Sequence, residues 1–129
     1  MTKLLTEDDW QLRRKLSLSA IADAPWAYGH TYKQVADRPP QFWRDQIADR
    51  TSTIVAFMDG RPVGDVCAIP SPNRPDAQEI TSAWVAPEAR SSGVGDKLLR
   101  TQLQWLQDNG HRQAQLWTRQ DNAPVRRLG

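Results

Sequence analysis

The sequence predicts one α/β domain, and three observations carry that reading. Apolar residues recur at helical spacing up to Arg50, a β-rich run then closes on an Asp-Gly hairpin signal, and a later strand enters a strongly amphipathic helix through a turn with two glycines. The 129 residues, 39% of them hydrophobic and 25% charged, suffice for one buried core and leave no room for a second domain, so residues 1–129 are read as one unit.

Thr6 before Glu7, Asp8 and Asp9 is a helix start, because the hydroxyl caps free amides and the acids favour the positive end of the dipole. A helix from Glu7 to Ala22 is expected, stopped at Asp23-Ala24-Pro25. Trp26 to Val35 reads as a second helical or irregular piece. Pro39-Pro40 opens a third helix with Phe42, Trp43, Gln46 and Ile47 on one face. Thr53 to Met58 is a strand, Asp59-Gly60 the turn, and Pro62 to Ile69 the return strand. Pro70 to Asp76 is a proline-rich loop, and Gln78 to Ala86 is a strand closed by Pro87. From Val94 to Asn109 a helix is expected, with Leu98, Leu99, Gln102, Leu103, Trp105 and Leu106 as a broad stripe and Gly110 as its stop. Ala114 to Thr118 is a strand, after which Asn122-Ala123-Pro124 opens a short C-terminal helix.

Composition excludes several classes. Lysine and arginine total 17 against 15 acids, a formal charge of +2 spread along the chain, which gives no footprint for nucleic acid. Arg119, Arg126 and Arg127 form the one local cluster, suited either to a phosphorylated ligand or to plain solvation. Met1 to Glu7 has no apolar run of signal-peptide length, and nothing later approaches the roughly 20 apolar residues of a membrane span, so a cytoplasmic setting with no membrane partner is expected. Cys67, the only cysteine, excludes an internal disulfide and a multi-cysteine metal site, and reads as a small buried hydrophobe rather than a nucleophile. His30 and His111 have no ligand spacing to each other or to paired carboxylates, and no metal is expected.

The chemistry lies between Ala83 and Leu99. Gly93 and Gly95 let a ligand approach the backbone, and the helix start points unpaired N–H groups outward, a nest suited to a diphosphate. Each amide bond contributes roughly 0.5–1.5 kcal/mol net, more to a charged acceptor. A dinucleotide fingerprint needs a third glycine where Leu98 stands, and a Walker loop needs Gly-Lys-Ser/Thr within Gly95-Asp96-Lys97-Leu98; neither matches. Arg90-Ser91-Ser92-Gly93-Val94-Gly95 does match Gln/Arg-x-x-Gly-x-Gly/Ala, and Val85-Ala86-Pro87-Glu88-Ala89-Arg90 matches V-x-P-x-x-R. With Asn122-Ala123 after the next strand and the helix–hairpin order before, the chain resembles the GNAT superfamily of N-acetyltransferases along nearly its whole length.

That resemblance implies a mixed, mostly antiparallel central sheet flanked by helices, acetyl-CoA as co-substrate and an amine as acceptor. It puts Ala83, Trp84 and Val85 on a free strand edge that pairs with the pantetheine arm, with the Val85 N–H near the thioester oxygen. It has Arg90, Ser91, Ser92, Gly93, Val94, Gly95 and Asp96 binding the cofactor around its diphosphate. Asn122 either reaches the cofactor or is an ordinary helix cap. The loops around Trp26 to Arg38 and Pro70 to Asp76 would shape the acceptor pocket, and they name no acceptor. Tyr28 and Tyr32 have packing as their default role.

An amine of pKa about 10.4 costs roughly 4.6 kcal/mol to deprotonate at pH 7, so a base is worth placing. Glu79 is the candidate, because its spacing to Arg90 resembles that of the glutamate base in the histone-acetylating branch; a surface glutamate at a strand start is the alternative. Glu88 beside the phosphate turn would repel the cofactor and reads as solvated surface. Trp117 stands where other members place a glutamate, and Gly129 where many place the tyrosine that protonates the departing thiolate. A thiol of pKa about 8.5 leaves as thiolate at pH 7 for only about 2 kcal/mol, and a general acid contributes about a hundred- to ten-thousandfold, so activity is expected to be reduced rather than abolished. Against the family pattern the last helix and two C-terminal strands are expected to be missing, which leaves the strand at Ala114 to Thr118 as an edge open to homodimerisation. Two other functions stay open: a non-catalytic acyl-CoA-binding remnant and a protein-interaction fragment.

Overall fold

The first helix, α1 (Trp10–Asp23), follows a 3₁₀ turn at Glu7–Asp9 in which the Thr6 N–H donates to Asp9 Oδ2 at 2.8 Å. This computed structural model describes residues 1–25, 31–74, 76–116 and 125–127, and excludes the side chains of Ser82, Ala83, Leu116 and 125–127. A short α2 (Tyr32–Ala36) is capped by Thr31, whose hydroxyl accepts from the Gln34 N–H at 3.1 Å. Helix α3 (Pro40–Asp49) begins with proline at its first turn, where the missing N–H costs nothing. The remaining elements are β1 (Thr2–Leu4), β2 (Ser52–Met58), β3 (Arg61–Pro70), β4 (Ala77–Val85), α4 (Val94–Asp108), β5 (Gln113–Leu116) and β6 (Val125–Arg127).

The strands form one sheet in the order β1 to β6, antiparallel at every junction except β4–β5, which is parallel. This bears out the mixed, mostly antiparallel sheet flanked by helices. At the β2–β3 turn Asp59 and Gly60 both take positive φ, 53° and 76°, the twist that matches a two-residue hairpin. Helix α4 covers one face, where Leu98 and Leu106 pack on Ile54, Val66, Ala68 and Ile80. On the other face Leu16 of α1 and Ile47 of α3 meet Val55. Trp43 of α3 packs with Leu18 and Ile21 of α1 and Val35 of α2. Gln102 sits within the α4 stripe, fully buried, and its Oε1 accepts from Ser52 Oγ at 2.6 Å, which satisfies a polar group in the core.

Two expectations need correction. The helix that Asn122 was to open does not extend over Val125–Arg127, which is a strand antiparallel to β5 with Gln115↔Val125 and Gln113↔Arg127 in register. Hence β5 is flanked by β4 and β6 rather than left as an edge: its outward N–H and C=O groups find partners in Val125–Arg127. Residues 117–124, with Trp117 and Asn122, lie outside the described residues. Strand β1 was not foreseen, since three residues carry no period; it forms because Thr2, Lys3 and Leu4 find Ala56, Val55 and Ile54 across the β2 edge.

Gly64 on β3 lies closely against β4, in register with Val85. A Cβ added there would stand 2.7 Å from the Trp84 carbonyl oxygen and 3.1 Å from Leu98 Cδ1, and a backbone oxygen cannot step aside as a side chain does. Gly64→Ala is therefore expected to lose about 1–3 kcal/mol in urea denaturation; an unchanged midpoint would contradict this approach.

Candidate functional site: the β4 edge and the turn into α4

Among the described residues, strand β4 is unpaired beyond Ile80 on the side away from β3. Its register with β3 runs Cys67↔Thr81 and then Asp65↔Trp84, so β4 carries an extra residue at Ser82-Ala83 that bends it there. Pairing with β5 runs from Ala77↔Gln113 to Ile80↔Leu116, and among the described residues no strand pairs with β4 beyond Ile80 on that side. The Ala86 N–H donates to Val63 O at 2.7 Å, toward β3. Because successive residues of an extended chain point their polar groups to opposite edges, the N–H and C=O of Val85 point away from β3. Val85 thus offers a donor on the side where no described strand pairs with it.

Past Ala86 the chain makes a 3₁₀ turn at Pro87–Ala89 and reaches α4 through Arg90 to Gly93. Ser91 and Gly93 take left-handed φ of 67° and 86°, the alternation that turns consecutive amides toward one concavity. No side chain caps α4, and its first helical bond runs from the Lys97 N–H to Gly93 O. The amides of Val94, Gly95 and Asp96 therefore have no acceptor in the helix and face outward at its positive end. Ser92 differs: both its N–H and its hydroxyl donate to Ala89 O, so its donors are used inside the turn. Arg90 uses its own N–H on Pro87 O at 3.3 Å. A Cβ at Gly95 would meet nothing nearer than Val85 Cγ2 at 3.5 Å, an ordinary contact. The fold does not require a glycine there, although glycine in a helix costs about 1 kcal/mol against alanine.

The Asp96 carboxylate, in the first turn of α4, is paired with Arg100 Nη2 at 2.6 Å, which offsets its charge. Arg90 does not point into the nest. Its Nε donates to Val85 O at 3.1 Å and its Nη2 to Asp23 Oδ2 at the end of α1, and Asp23 also accepts from Trp84 Nε1 at 3.3 Å. Sequence reasoning missed Asp23; its one signal was an acid at a helix C-terminus, where the dipole disfavours it.

Glu79 lies within β4, in register with Ile69 and Gln115 and only 8% exposed. Alternation along β3 puts Ile69 on the face of Cys67 and Asp65, so Glu79 shares the face that carries α1 and α3, opposite α4. Burial raises its carboxyl above the ordinary 4.5. Cys67 is fully buried as expected, and burial pushes its thiol up, which keeps it protonated and unreactive. Nearby, Arg13 Nη1 pairs with Asp65 Oδ2 at 2.9 Å and its Nε donates to Gln46 at 3.0 Å, a buried polar group that fixes α1 and α3 on the sheet.

Comparison with known proteins agrees with this architecture. The model of the acetyltransferase (GNAT) family matches residues 16–128, and the chain belongs to that family. An uncharacterized N-acetyltransferase of Archaeoglobus fulgidus is 31% identical over 84 residues, a match covering 62% of this chain and 57% of that protein, so the likeness spans little more than half of the relative. An aminoglycoside acetyltransferase from an uncultured soil metagenomic sample superposes with a TM-score of 0.74 at 16% identity, covering 93% of this chain and 80% of the other. A GNAT family acetyltransferase from Brucella melitensis, solved in complex with acetyl-CoA, gives 0.70 at 18% identity, covering 100% and 89%. At such identities the structural likeness speaks for the fold. Among the described residues no helix is long and apolar enough to cross a membrane.

Proposed function

We propose that the chain transfers the acetyl group of acetyl-CoA to a primary amine by direct attack, with both substrates bound at once. The observation that carries this reading is the meeting of two features at one strand end: the outward Val85 N–H, and the unpaired amides of Val94, Gly95 and Asp96 one turn later. An extended arm bearing amides and ending in a diphosphate matches both together. Family membership supports the same co-substrate, and the soil-sample neighbour named as an aminoglycoside acetyltransferase supports an amine acceptor.

In this reading the nest holds the diphosphate and the edge from Val85 back to Ala83 aligns the arm. Glu79 precedes Val85 by six residues, about 20 Å along an extended strand, too far for both to serve one carbon. The acyl carbon is therefore placed nearer the bend at Ala83, with its oxygen on an edge amide, and Glu79 acts through water rather than directly. The free amine forms the new N–C bond as the C–S bond breaks. The amine proton passes through water to Glu79, the departing thiolate takes a proton from solvent, and an amide and free CoA result. Nest and base lie toward opposite faces of the sheet, so the two substrates can approach from opposite sides.

Incubation of the chain with acetyl-CoA and a panel of primary amines, following free thiol, tests this. Thiol release above buffer with at least one amine is expected. A melting temperature raised by acetyl-CoA without thiol from any amine would replace the enzyme with an acyl-CoA-binding module, and indifference to millimolar acetyl-CoA would remove both.

A further inference from the structure

We infer that Asp23 is a positioning residue for the cofactor edge: it holds the Arg90 guanidinium across the end of β4, which occupies the Val85 C=O and leaves the Val85 N–H as the group offered to an incoming amide. The inference rests on the acetyl-CoA reading above. Three observations carry it. An acid in the last turn of α1 sits at the negative end of the helix, and that turn has no basic residue to offset it, so a gain elsewhere must compensate. The compensation comes from two distant donors, Trp84 Nε1 at 3.3 Å and Arg90 Nη2, one from β4 and one from the turn that opens the nest. The second Arg90 donor, Nε, reaches Val85 O at 3.1 Å, on the edge that faces away from β3.

A guanidinium can face two acceptors at once because its donors form a planar fork; an ammonium is a single point and cannot span the same pair. The charge of Arg90 is thereby spent within the protein, and diphosphate binding is left to the backbone amides. Asp23 also ends the helix that packs over the Glu79 face and starts the chain toward α2, so it links the proposed acceptor side to the cofactor edge.

Calorimetric titration of the full chain with acetyl-CoA and with 3′-phosphoadenosine 5′-diphosphate, which has the phosphates but no pantetheine, separates the roles. Because the Arg90 side chain is 51% exposed, Asp23→Asn is expected to weaken acetyl-CoA by only about three- to fivefold. It should leave the nucleotide fragment unchanged and the melting temperature level or slightly higher, since an acid is removed from the helix end. Arg90→Lys should behave alike, the double variant no worse than either single one, and Asp23→Glu should restore most of the affinity. Wild-type affinity for acetyl-CoA in Asp23→Asn, or equal weakening of both ligands, overturns the inference and leaves the acyl-transfer reading standing. Failure of the wild-type chain to bind acetyl-CoA overturns both.

Discussion

Arg13→Met is expected to cost about 3–5 kcal/mol of folding free energy, because it leaves the Asp65 carboxylate buried with its main partner gone. Both side chains are nearly inaccessible, 9% and 3% exposed, so water cannot replace the lost guanidinium. Burial already raises the Asp65 carboxyl, while Arg13 and then Arg50 pull it down; removing Arg13 raises it further. A carboxyl whose folded pKa lies above its unfolded value contributes stability that is present at low pH and lost as pH rises through the folded value. The deficit of Arg13→Met should therefore shrink as the medium is acidified from neutral toward the ordinary carboxylate range. Thermal or urea unfolding across that range measures it. Arg13→Met/Asp65→Leu should recover most of the loss, because a buried pair removed whole leaves no orphan charge. A pH-independent deficit would contradict the assignment to Asp65.

Glu79→Gln is expected to lower kcat/KM by about a hundredfold, the low end of what a positioned base contributes, since in the proposed mechanism Glu79 acts through water. With Glu79 as the proposed base, kcat/KM of the wild-type chain is expected to rise with pH as Glu79 loses its proton, and burial sets that rise above the ordinary value of 4.5. The variant should lose this limb and keep only the one set by the amine of the acceptor. Stability moves the other way. Because the folded state favours protonated Glu79, its contribution is present below the unfolded pKa and lost above the folded one, so the neutral glutamine should be as stable at pH 7 or slightly more so. A pH–rate profile with its acid limb intact in Glu79→Gln would remove Glu79 from the mechanism.

Where local chemistry decides, the chain could be read in advance. The Asp59-Gly60 turn, the Pro40 start of α3 and the α4 stripe from Leu98 to Leu106 each rest on a few consecutive residues, and each formed where expected. The nest was legible for the same reason, since Gly93 and the amides that follow it are neighbours in the chain. Ser92 shows the limit of such reading: the motif counts it with the binding residues, but the turn folds its hydroxyl back onto Ala89. The C-terminal residues show another, because Val125–Arg127, expected within a short helix, pair with β5 instead.

The sequence by itself determined the order of elements from α1 to β5, the family and the glycine-hinged turn into α4, because backbone conformation, capping and hydrophobic period are properties of short stretches. Only the tertiary structure decided that Asp23 meets Arg90 and Trp84, that Arg13 meets Asp65, that Gly64 admits the Trp84 carbonyl, and that Val85 turns its N–H away from β3. Those contacts join residues from 20 to 67 positions apart. No local propensity encodes such a meeting; it appears once the sheet register has brought the separate segments together.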